Sequence, residues 1–304
     1  MLEIVDRRGQ DGVATVRVAR LPDGTRLECV DSVQPPVPRK EKWVLIVSTL
    51  KGCPVSCPIC DAGGSYSGRL SAEEIMAQVD CMVRERFPDG MVPVGKLKVQ
   101  FARMGDPAMN PAVLQVLEEL PARYDAPGLM PCISTIAPSG CDEFMEALAD
   151  IKRRLYCDGR FQMQLSIHTT CERSRRRLVP ASTWSFHRMA SWGRRFRQQG
   201  DRRITLNFAP IRGFPLEPRK LAEVFEPEDY MVKLTPVNPT ARAVASGMQG
   251  IIDPRRPAEA RNVAEDFTAA GFQTLVSIGE LEENRIGSNC GMYLGAMEKE
   301  SHPE

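Results

Sequence analysis

Residues 13–33 alternate between apolar and polar side chains on both sides of a Pro-Asp-Gly turn sequence at residues 22–24. Alternation with a period of two is typical of β-strands, and a turn sequence between two such runs predicts a β-hairpin. The proline-rich stretch 35–38 and the four charged residues after it cannot continue a sheet. The chain is therefore predicted to begin with a small β extension and linker at residues 1–40.

Beyond residue 40, short apolar runs alternate with longer segments whose apolar residues recur at helical spacing. The predicted strands cover residues 43–49, 97–102, 131–135, 162–167, 203–208, 231–235 and 273–277. The predicted helices cover residues 71–87, 111–120, 142–155, 183–199, 218–226 and 255–270. This alternation predicts a parallel sheet with right-handed crossovers, and six β/α units fit an open barrel about as well as a doubly wound sheet. In both folds the chemistry lies at the carboxyl ends of the strands.

The composition is that of an ordinary globular protein. Of its 304 residues, 42% are hydrophobic and 26% are charged, which excludes a disordered, collagen-like or coiled-coil chain. The formal charge of +1 gives no chain-wide attraction to nucleic acid or membranes. The start of the chain lacks the apolar core of a signal peptide, and the longest apolar run, residues 43–50, is shorter than the ~20 residues of a membrane span. We expect a cytoplasmic protein with no membrane partner.

Three of the ten cysteines, Cys53, Cys57 and Cys60, form a C-x3-C-x2-C motif in a loop that follows the first predicted barrel strand. Such spacing indicates a metal centre rather than a disulfide framework. A closed zinc site needs four ligands, and no Cys or His follows within the next twenty residues. A 4Fe-4S cluster held by three cysteines keeps one iron open for a further ligand. The cluster is favoured, with zinc-bound or simply buried thiols as the alternatives.

This motif, in the first strand-to-helix loop of a β/α chain, resembles the signature of the radical S-adenosylmethionine (SAM) superfamily over roughly residues 43–240. The resemblance implies an α/β fold, a partial (β/α)6 radical SAM barrel at residues 41–280, with the β-hairpin extension before it and an irregular C-terminal tail at residues 281–304. It also implies that the open iron binds the amino and carboxyl groups of SAM. An electron from the cluster, supplied by a donor such as flavodoxin or ferredoxin, would cleave SAM to methionine and a 5′-deoxyadenosyl radical.

After the second barrel strand, residues 104–110 read Met-Gly-Asp-Pro-Ala-Met-Asn. They are similar to the Met-Gly-Glu-Pro-Leu-x-Asn segment of the RlmN/Cfr-type RNA methyltransferases, with an aspartate one methylene shorter than the glutamate. Segments at the ends of the third, fourth and sixth strands are also similar to SAM-contacting segments of that branch. Taken alone, each of these residues is more easily a local turn, hydrogen-bond or interior residue. The resemblance implies SAM binding by Gly105, Asp106, Ser134, Ser166, His168 and Asn238.

A cysteine in the tail, Cys290 in Ser-Asn-Cys-Gly-Met, is similar to the Ala-Cys-Gly-Gln-Leu motif of the same branch. The resemblance implies that this thiol is methylated by SAM and then carries a methylene radical to the substrate; the alternative is a plain loop thiol. A second family cysteine resolves the covalent adduct, but Ile46 stands at its position, so the complete family mechanism cannot run there. Glu28 is similar to a family acid that takes a proton, or else is a solvated strand residue. Its neighbour Cys29 is expected on the opposite face of the strand.

Residues 173–203 contain ten arginines and one acid, a local excess of positive charge in a nearly neutral chain. Arg173, Arg175, Arg176 and Arg177 follow the fourth strand, and we expect them at the rim where substrate enters. Arg prefers bidentate phosphate contacts, so this rim predicts RNA or a phosphorylated small molecule as a partner. The arginines at the end of the next helix can be explained by the helix dipole alone.

These motifs predict an enzyme, a radical SAM methyltransferase of RlmN/Cfr type that uses methylated Cys290 to methylate an sp2 carbon of a nucleobase such as RNA adenosine. Two features favour a smaller heteroaromatic or phosphorylated substrate over folded ribosomal RNA. One is Ile46, and the other is that only about forty residues precede the barrel, which leave no helical N-terminal RNA-binding domain. The alternatives are a radical SAM oxidoreductase or mutase acting on a small molecule or peptide and, from another class, a non-catalytic metal-cluster binding protein.

Overall fold

The computed structural model describes residues 2–279, 281–288 and 294. Its strands are β1 (Glu3–Gln10), β2 (Ala14–Arg20), β3 (Arg26–Ser32), β4 (Trp43–Val47), β5 (Leu50–Lys51), β6 (Gly68–Arg69), β7 (Leu97–Phe101), β8 (Leu129–Thr135), β9 (Gln162–Ser166), β10 (Ile204–Phe208), β11 (Tyr230–Leu234) and β12 (Gln273–Val276). Its helices are α1 (Ala72–Arg86), α2 (Ala112–Arg123), α3 (Asp142–Leu155), α4 (Glu172–Leu178), α5 (Phe186–Phe196), α6 (Pro218–Ala222), α7 (Ala241–Ala245), α8 (Pro257–Ala269) and α9 (Leu281–Ile286), and a 3-10 turn covers Pro107–Met109.

Ten strands form one sheet in the order β1-β2-β3-β4-β7-β8-β9-β10-β11-β12, and β5 pairs separately with β6. The strands from β4 to β12 in this sheet pair in parallel, and one or more helices connect each successive pair. A doubly wound sheet would reverse its strand order at a switch point, whereas here the strands follow one another in sequence. The predicted α/β fold is therefore confirmed, with the strand order of an open barrel.

The predicted hairpin is formed by β2 and β3, which pair antiparallel along their whole length. Strand β1 was not predicted, because it is an edge strand with mostly exposed residues and no clear apolar alternation. Strand β3 continues the sheet by pairing antiparallel with β4. The N-terminal extension and the barrel therefore share one sheet. The predicted domain boundary near residue 40 stays a prediction.

Alternate residues of the parallel strands divide between two faces of the sheet. Trp43, Leu45 and Val47 of β4 lie in the main hydrophobic core, which the helices cover. The residues between them, Val44 and Ile46, therefore face the inside of the barrel. This alternation puts apolar side chains under the helices and leaves the inner face for the chemistry.

The helix boundaries follow local capping and packing. At the start of α1, the Glu74 amide donates to Ser71 Oγ (3.1 Å) and the Ser71 amide donates to the Glu74 carboxylate (2.8 Å), which together form a capping box. Helix α9 lies in the tail predicted to be irregular, and Ile286 at its end packs with Val16 and Val30 of the N-terminal strands. Throughout the described ranges, every helix is too short or too polar to cross a membrane.

Candidate active site

The three motif cysteines lie on one loop between β5 and β6, beyond the carboxyl end of β4, and their side chains are half-buried. The Cys60 amide donates to the Cys57 carbonyl (3.2 Å), and Cys53 forms a β-bridge with Gly63. A side chain at Gly63 would place its Cβ 2.6 Å from the Cα of Ser56. The loop that carries the three cysteines can therefore fold this tightly only with glycine at position 63.

The surroundings of these thiols fit an iron-sulfur cluster. The backbone amides of Val55, Ser56 and Gly105 lie near the Cys53 sulfur and favour its deprotonated form, and nearby amides tune the sulfurs of protein-bound clusters. Burial raises the pKa of Cys53 and raises that of Cys57 to about 12, so these thiols lose their protons when metal binds. Within the described part of the chain, no three His, Cys, Asp or Glu side chains lie close enough to bind one metal ion.

Gly105 and Asp106 follow β7, directly beside the cysteine loop. Gly105 has a φ of +87°, and a Cβ there would lie 2.4 Å from the side chain of the first β5 residue, so the position requires glycine. Asp106 Oδ1 accepts hydrogen bonds from the Ala108 amide (2.9 Å) and the Thr135 hydroxyl (2.7 Å), and Oδ2 accepts one from the Ile136 amide (2.7 Å). Burial raises the pKa of Asp106. This carboxyl joins the segment after β7 to the end of β8, and Oδ2 retains one lone pair for a further donor.

The next two strand ends carry the predicted hydroxyl and imidazole groups. Ser134 is the second-last residue of β8 and Ser166 ends β9, and both are half-buried. His168 has a left-handed backbone (φ +65°), and its Nδ1 accepts a hydrogen bond from the Ala209 amide (3.2 Å). Burial lowers the pKa of His168 to about 4, so the ring is neutral at pH 7. Because Nδ1 is an acceptor, Nε2 carries the hydrogen and is available as a donor.

Asn238 lies after β11, in a turn where its carbonyl accepts a hydrogen bond from the Thr240 amide (2.8 Å). Helix α7 follows, and its first two amides both donate to the Asp61 carboxylate at 2.9 Å. The Arg242 guanidinium donates to the Ser56 carbonyl (3.1 Å). Helix α7 therefore holds the cysteine loop in place by hydrogen bonds. The sequence pattern did not predict this contact, because 180 residues separate Asp61 from the helix.

One predicted rim arginine is not on the surface. Arg175 is 3% exposed, and its guanidinium donates to the carbonyls of Ser166 (2.7 Å) and Ile136 (2.9 Å) and to the Thr183 hydroxyl (2.7 Å). The prediction that Arg175 meets a substrate phosphate is therefore wrong, since this side chain holds the ends of β8 and β9 together. The rim arginines that are exposed, as predicted, are Arg173, Arg176 and Arg177.

Glu28 is fully buried in β3, so the alternative of a solvated strand residue is wrong. Arg103 Nε donates to its carboxylate at 2.6 Å. The same guanidinium donates to the carbonyls of residues 287–288, and the Leu294 amide donates to Glu28. Cys290 lies outside the described residues, in the segment between these contacts. Arg103 was not identified from sequence, because 185 residues separate it from the tail that it binds.

No protein-family model matches the chain. The curated protein "Probable dual-specificity RNA methyltransferase RlmN" from Synechococcus sp. (strain CC9311) is 25% identical over 293 residues, which cover 92% of this chain and 80% of the relative. The protein of the same name from Desulfitobacterium hafniense (strain Y51) is 27% identical over 308 residues, with 98% and 80% coverage. The crystal structure of a radical SAM methyltransferase from Sphaerobacter thermophilus superposes with a TM-score of 0.74 and 22% identity, over 96% of this chain and 80% of that one.

The chain is similar over most of its length to curated RlmN RNA methyltransferases and to the structure of a radical SAM methyltransferase. The predicted resemblance, fold class and enzyme class are confirmed: this RlmN-like chain is an enzyme, a methyltransferase of the radical SAM type. Neither the oxidoreductase or mutase nor the non-catalytic cluster protein is favoured. The assignment of single residues to the cluster, to SAM or to methyl transfer stays a prediction.

Ile46 marks a departure of this RlmN-like chain from the branch that it resembles. It pairs with Val30 across β3 and β4 and packs against the apolar cluster that contains Val30 and Ile286. Cys29 is buried in the main core on the other face of β3, as predicted, and burial raises its pKa to about 12. Neither position therefore offers a reactive thiol on the inner face of β3 and β4.

The arginines at the end of α5 have structural partners in this RlmN-like chain. Arg194 pairs with Glu226 at 3.1 Å, and Arg195 pairs with Glu146 of α3 at 3.0 Å. These exposed pairs add little stability, but they neutralise the arginines. The charges of Arg194 and Arg195 are therefore offset by these acids, whereas the arginines of the rim are exposed.

Proposed function

We propose that this chain is a radical SAM C-methyltransferase that methylates an adenine carbon of RNA, with Cys53, Cys57 and Cys60 as the ligands of a 4Fe-4S cluster. The observation that supports the proposal is that buried side chains connect adjacent strand ends by hydrogen bonds beside the cysteine loop. Asp106 joins the β7 end to the β8 end, and Arg175 joins β8 to β9. In parallel barrels this edge binds cofactor and substrate.

The SAM site is assigned to the polar groups at this edge. The Asp106 oxygen with a spare lone pair is suited to accept a hydrogen bond from the SAM ammonium group, directly or through water. Neutral His168 offers an N–H donor after β9, and Ser134 and Ser166 offer hydroxyls at the ends of β8 and β9. When bound, the cluster supplies one electron to SAM, and a donor of the flavodoxin or ferredoxin class replaces it. The full SAM set is Gly105, Asp106, Ser134, Ser166, His168 and Asn238.

Cys290 is assigned as the methyl carrier. The methyl group moves from the SAM sulfonium to the Cys290 sulfur: one carbon–sulfur bond forms as the other breaks, S-adenosylhomocysteine leaves, and the thiol proton passes to solvent. Glu28 is kept as a candidate proton acceptor, although both of its oxygens already accept hydrogen bonds. Because Ile46 cannot form a thiolate, release of the RNA adduct must use another group.

The exposed rim supports RNA as the substrate class. Arg173, Arg176 and Arg177 follow β9 at the carboxyl edge, where a polyanion would approach. The Arg177 guanidinium lies 5.0 Å from the centre of the Phe214 ring. A cation over an aromatic ring provides a surface on which an unpaired base can stack.

The test uses anaerobically reconstituted, reduced protein with ribosomal RNA, transfer RNA or free nucleotides, followed by analysis for methylated adenosine. We expect multiple-turnover methylation of one RNA class, and no methylation of free nucleotides. Cys53→Ala should lose the cluster and all activity, whereas Cys290→Ala should retain the cluster and SAM cleavage but lose product. Stoichiometric zinc in place of iron, or full product from Cys290→Ala, would contradict the proposal. A stalled protein–RNA crosslink would show that nothing replaces the thiol missing at Ile46.

A further inference from the structure

Glu28 of β3 and Arg103, which follows β7, form a buried ion pair. Glu28 is fully buried, Arg103 is 3% exposed, and Arg103 Nε donates to Glu28 Oε2 at 2.6 Å. A buried ion pair gives little net stability, because the loss of hydration offsets the attraction between the charges. The remaining hydrogen bonds of the pair indicate what else it does.

The pair binds the C-terminal tail on both sides of Cys290. The terminal nitrogens of Arg103 donate to the carbonyls of residues 287–288, at 2.7 and 2.6 Å. The Leu294 amide donates to Oε1 of Glu28, the oxygen that Arg103 Nε does not contact. The five residues between these two contacts include Cys290. One buried ion pair therefore fixes the chain before and after the assigned methyl carrier.

Arg103 is also connected to the segment assigned to SAM. Its amide donates to the Val47 carbonyl at the end of β4 (3.0 Å). The carbonyl of the next residue, Met104, accepts hydrogen bonds from the amides of Thr49 (2.9 Å) and Leu50 (3.1 Å), at the start of the cysteine loop. The two residues assigned to SAM binding follow directly in sequence. Arg103 thus bridges the cluster loop, the SAM segment and the tail.

Helix α9 adds an apolar contact just before the ion pair reaches the tail. Ile286 is 4% exposed and packs with Ala14, Val16 and Val30. Packing at residue 286 and hydrogen bonding at residues 287–288 hold the tail against the N-terminal strands. The chain therefore enters the Cys290 segment from a fixed position.

We propose that Arg103 and Glu28 are positioning residues that hold residues 287–288 and 294, on either side of Cys290 in the sequence, next to the SAM-binding segment. This inference rests on the proposed function, in which the Cys290 sulfur must reach the SAM methyl group. Methyl transfer needs the Cys290 sulfur close to the methyl carbon of SAM and in line with the carbon–sulfur bond that breaks. A misplacement of about 1 Å reduces such rates by on the order of a hundredfold.

Arg103→Met keeps an unbranched side chain about as long as the aliphatic part of arginine and removes the donors of Arg103 to Glu28 and to the tail carbonyls. We expect the maximal rate of Cys290 methylation to fall on the order of a hundredfold, with the KM for SAM and the iron content unchanged. Arg103→Lys retains the positive charge but lacks the planar guanidinium group with its several donors. Its rate of Cys290 methylation should therefore lie between those of Arg103→Met and the wild type. Arg26→Gln changes an exposed residue of the same strand as Glu28 and is the matched control, with wild-type rates expected.

Amide hydrogen exchange gives a second readout that does not depend on activity. In the full-length protein, Arg103→Met should increase exchange in the peptide covering residues 281–288, and Arg26→Gln should not. Wild-type exchange in Arg103→Met would show that the ion pair does not hold the tail, and it would overturn the positioning role. If the wild type never methylates Cys290 but Arg103→Met still increases exchange, the proposed function fails while the structural contact stands. If the wild type methylates Cys290 and neither Arg103 variant changes the rate, the positioning role alone fails.

Discussion

The carboxyl group of Asp106 has closely defined hydrogen-bond partners. The Thr135 hydroxyl donates to it and itself accepts from the Ala137 amide (2.9 Å), so the direction of the hydroxyl hydrogen is fixed. Asp106→Asn would turn an NH2 group toward at least one of these donors. We expect the free energy of unfolding of the cluster-free protein to fall by about 1–3 kcal/mol, measured by urea denaturation. The exposed control Glu143→Gln should change it by less than about 0.5 kcal/mol, and an equally small change in Asp106→Asn would contradict these contacts.

His168 predicts a pH dependence of stability. Burial lowers its pKa from 6.5 to about 4, so between these values the unfolded chain binds a proton that the folded chain does not. The contribution of neutral His168 to the free energy of unfolding is fully present above pH 6.5. It is lost progressively, by up to about 3 kcal/mol, as the pH falls toward 4. His168→Asn, which suits the left-handed backbone, should remove this component. Chemical denaturation at several pH values checks it, and identical slopes of stability against pH for both proteins would contradict the lowered pKa of His168.

Arginines illustrate what sequence alone can predict about single residues here. Arg175 and its exposed neighbours Arg176 and Arg177 are chemically alike, and only the turn of α4 decides which one points inward to the strand-end carbonyls. Charge density correctly indicated a basic rim. It could not separate a structural guanidinium from one that is open to substrate.

At the scale of elements, the parallel strands and most of their helices could be predicted, because each follows a local pattern of apolar spacing and caps. Helix α1, with its cap at Ser71, is the clearest example. Strand β1 and helix α9 could not be predicted in this way. The first is a mostly exposed edge strand, and the second is a short helix that gains its apolar contact from strands more than 250 residues earlier in the chain.

The contact between α5 and β11 gives a test of packing. A Cβ at Gly193 of α5 would lie 1.9 Å from the hydroxyl of Tyr230, which is fully buried in β11. Gly→Ala within a helix usually stabilises by about 1 kcal/mol, but this clash should reverse the sign. We expect Gly193→Ala to lower the free energy of unfolding by about 1–3 kcal/mol by urea denaturation. In a Tyr230→Phe background the loss should shrink, and a stabilising Gly193→Ala would contradict the close approach.

At the scale of the whole molecule, the site joins parts of the chain that are far apart in sequence. Its cysteine motif and strand-end residues were visible as local patterns. The contact of α7 with Asp61 and the contact of Arg103 with the tail were not, because each spans 180 residues or more. Such contacts form only when the barrel brings the ends of distant strands together, and no local sequence pattern encodes them.

The distribution of positive charge predicts how RNA binding depends on salt. The three exposed rim arginines are free to contact phosphates, whereas Arg194 and Arg195 pair with acids. Replacing Arg173, Arg176 and Arg177 together by Gln should weaken RNA binding and reduce the slope of log K against log salt by about 0.7–0.9 for each phosphate that the variant no longer neutralises. Replacing Arg194 and Arg195 should leave the slope nearly unchanged. Equal effects of the two sets, measured by fluorescence anisotropy, would show that the rim is not the RNA surface.

The central claim is that Cys290 takes a methyl group from SAM and passes its carbon to RNA. The most direct measurement is mass spectrometry of the Cys290 peptide and of the RNA nucleosides, after reduced, reconstituted enzyme has reacted with SAM that carries a deuterated methyl group. The account predicts a labelled methyl group on Cys290 without RNA, and label in methylated adenosine once RNA is added. Labelled adenosine formed by Cys290→Ala, or formed while Cys290 of the wild type never carries the label, would contradict it.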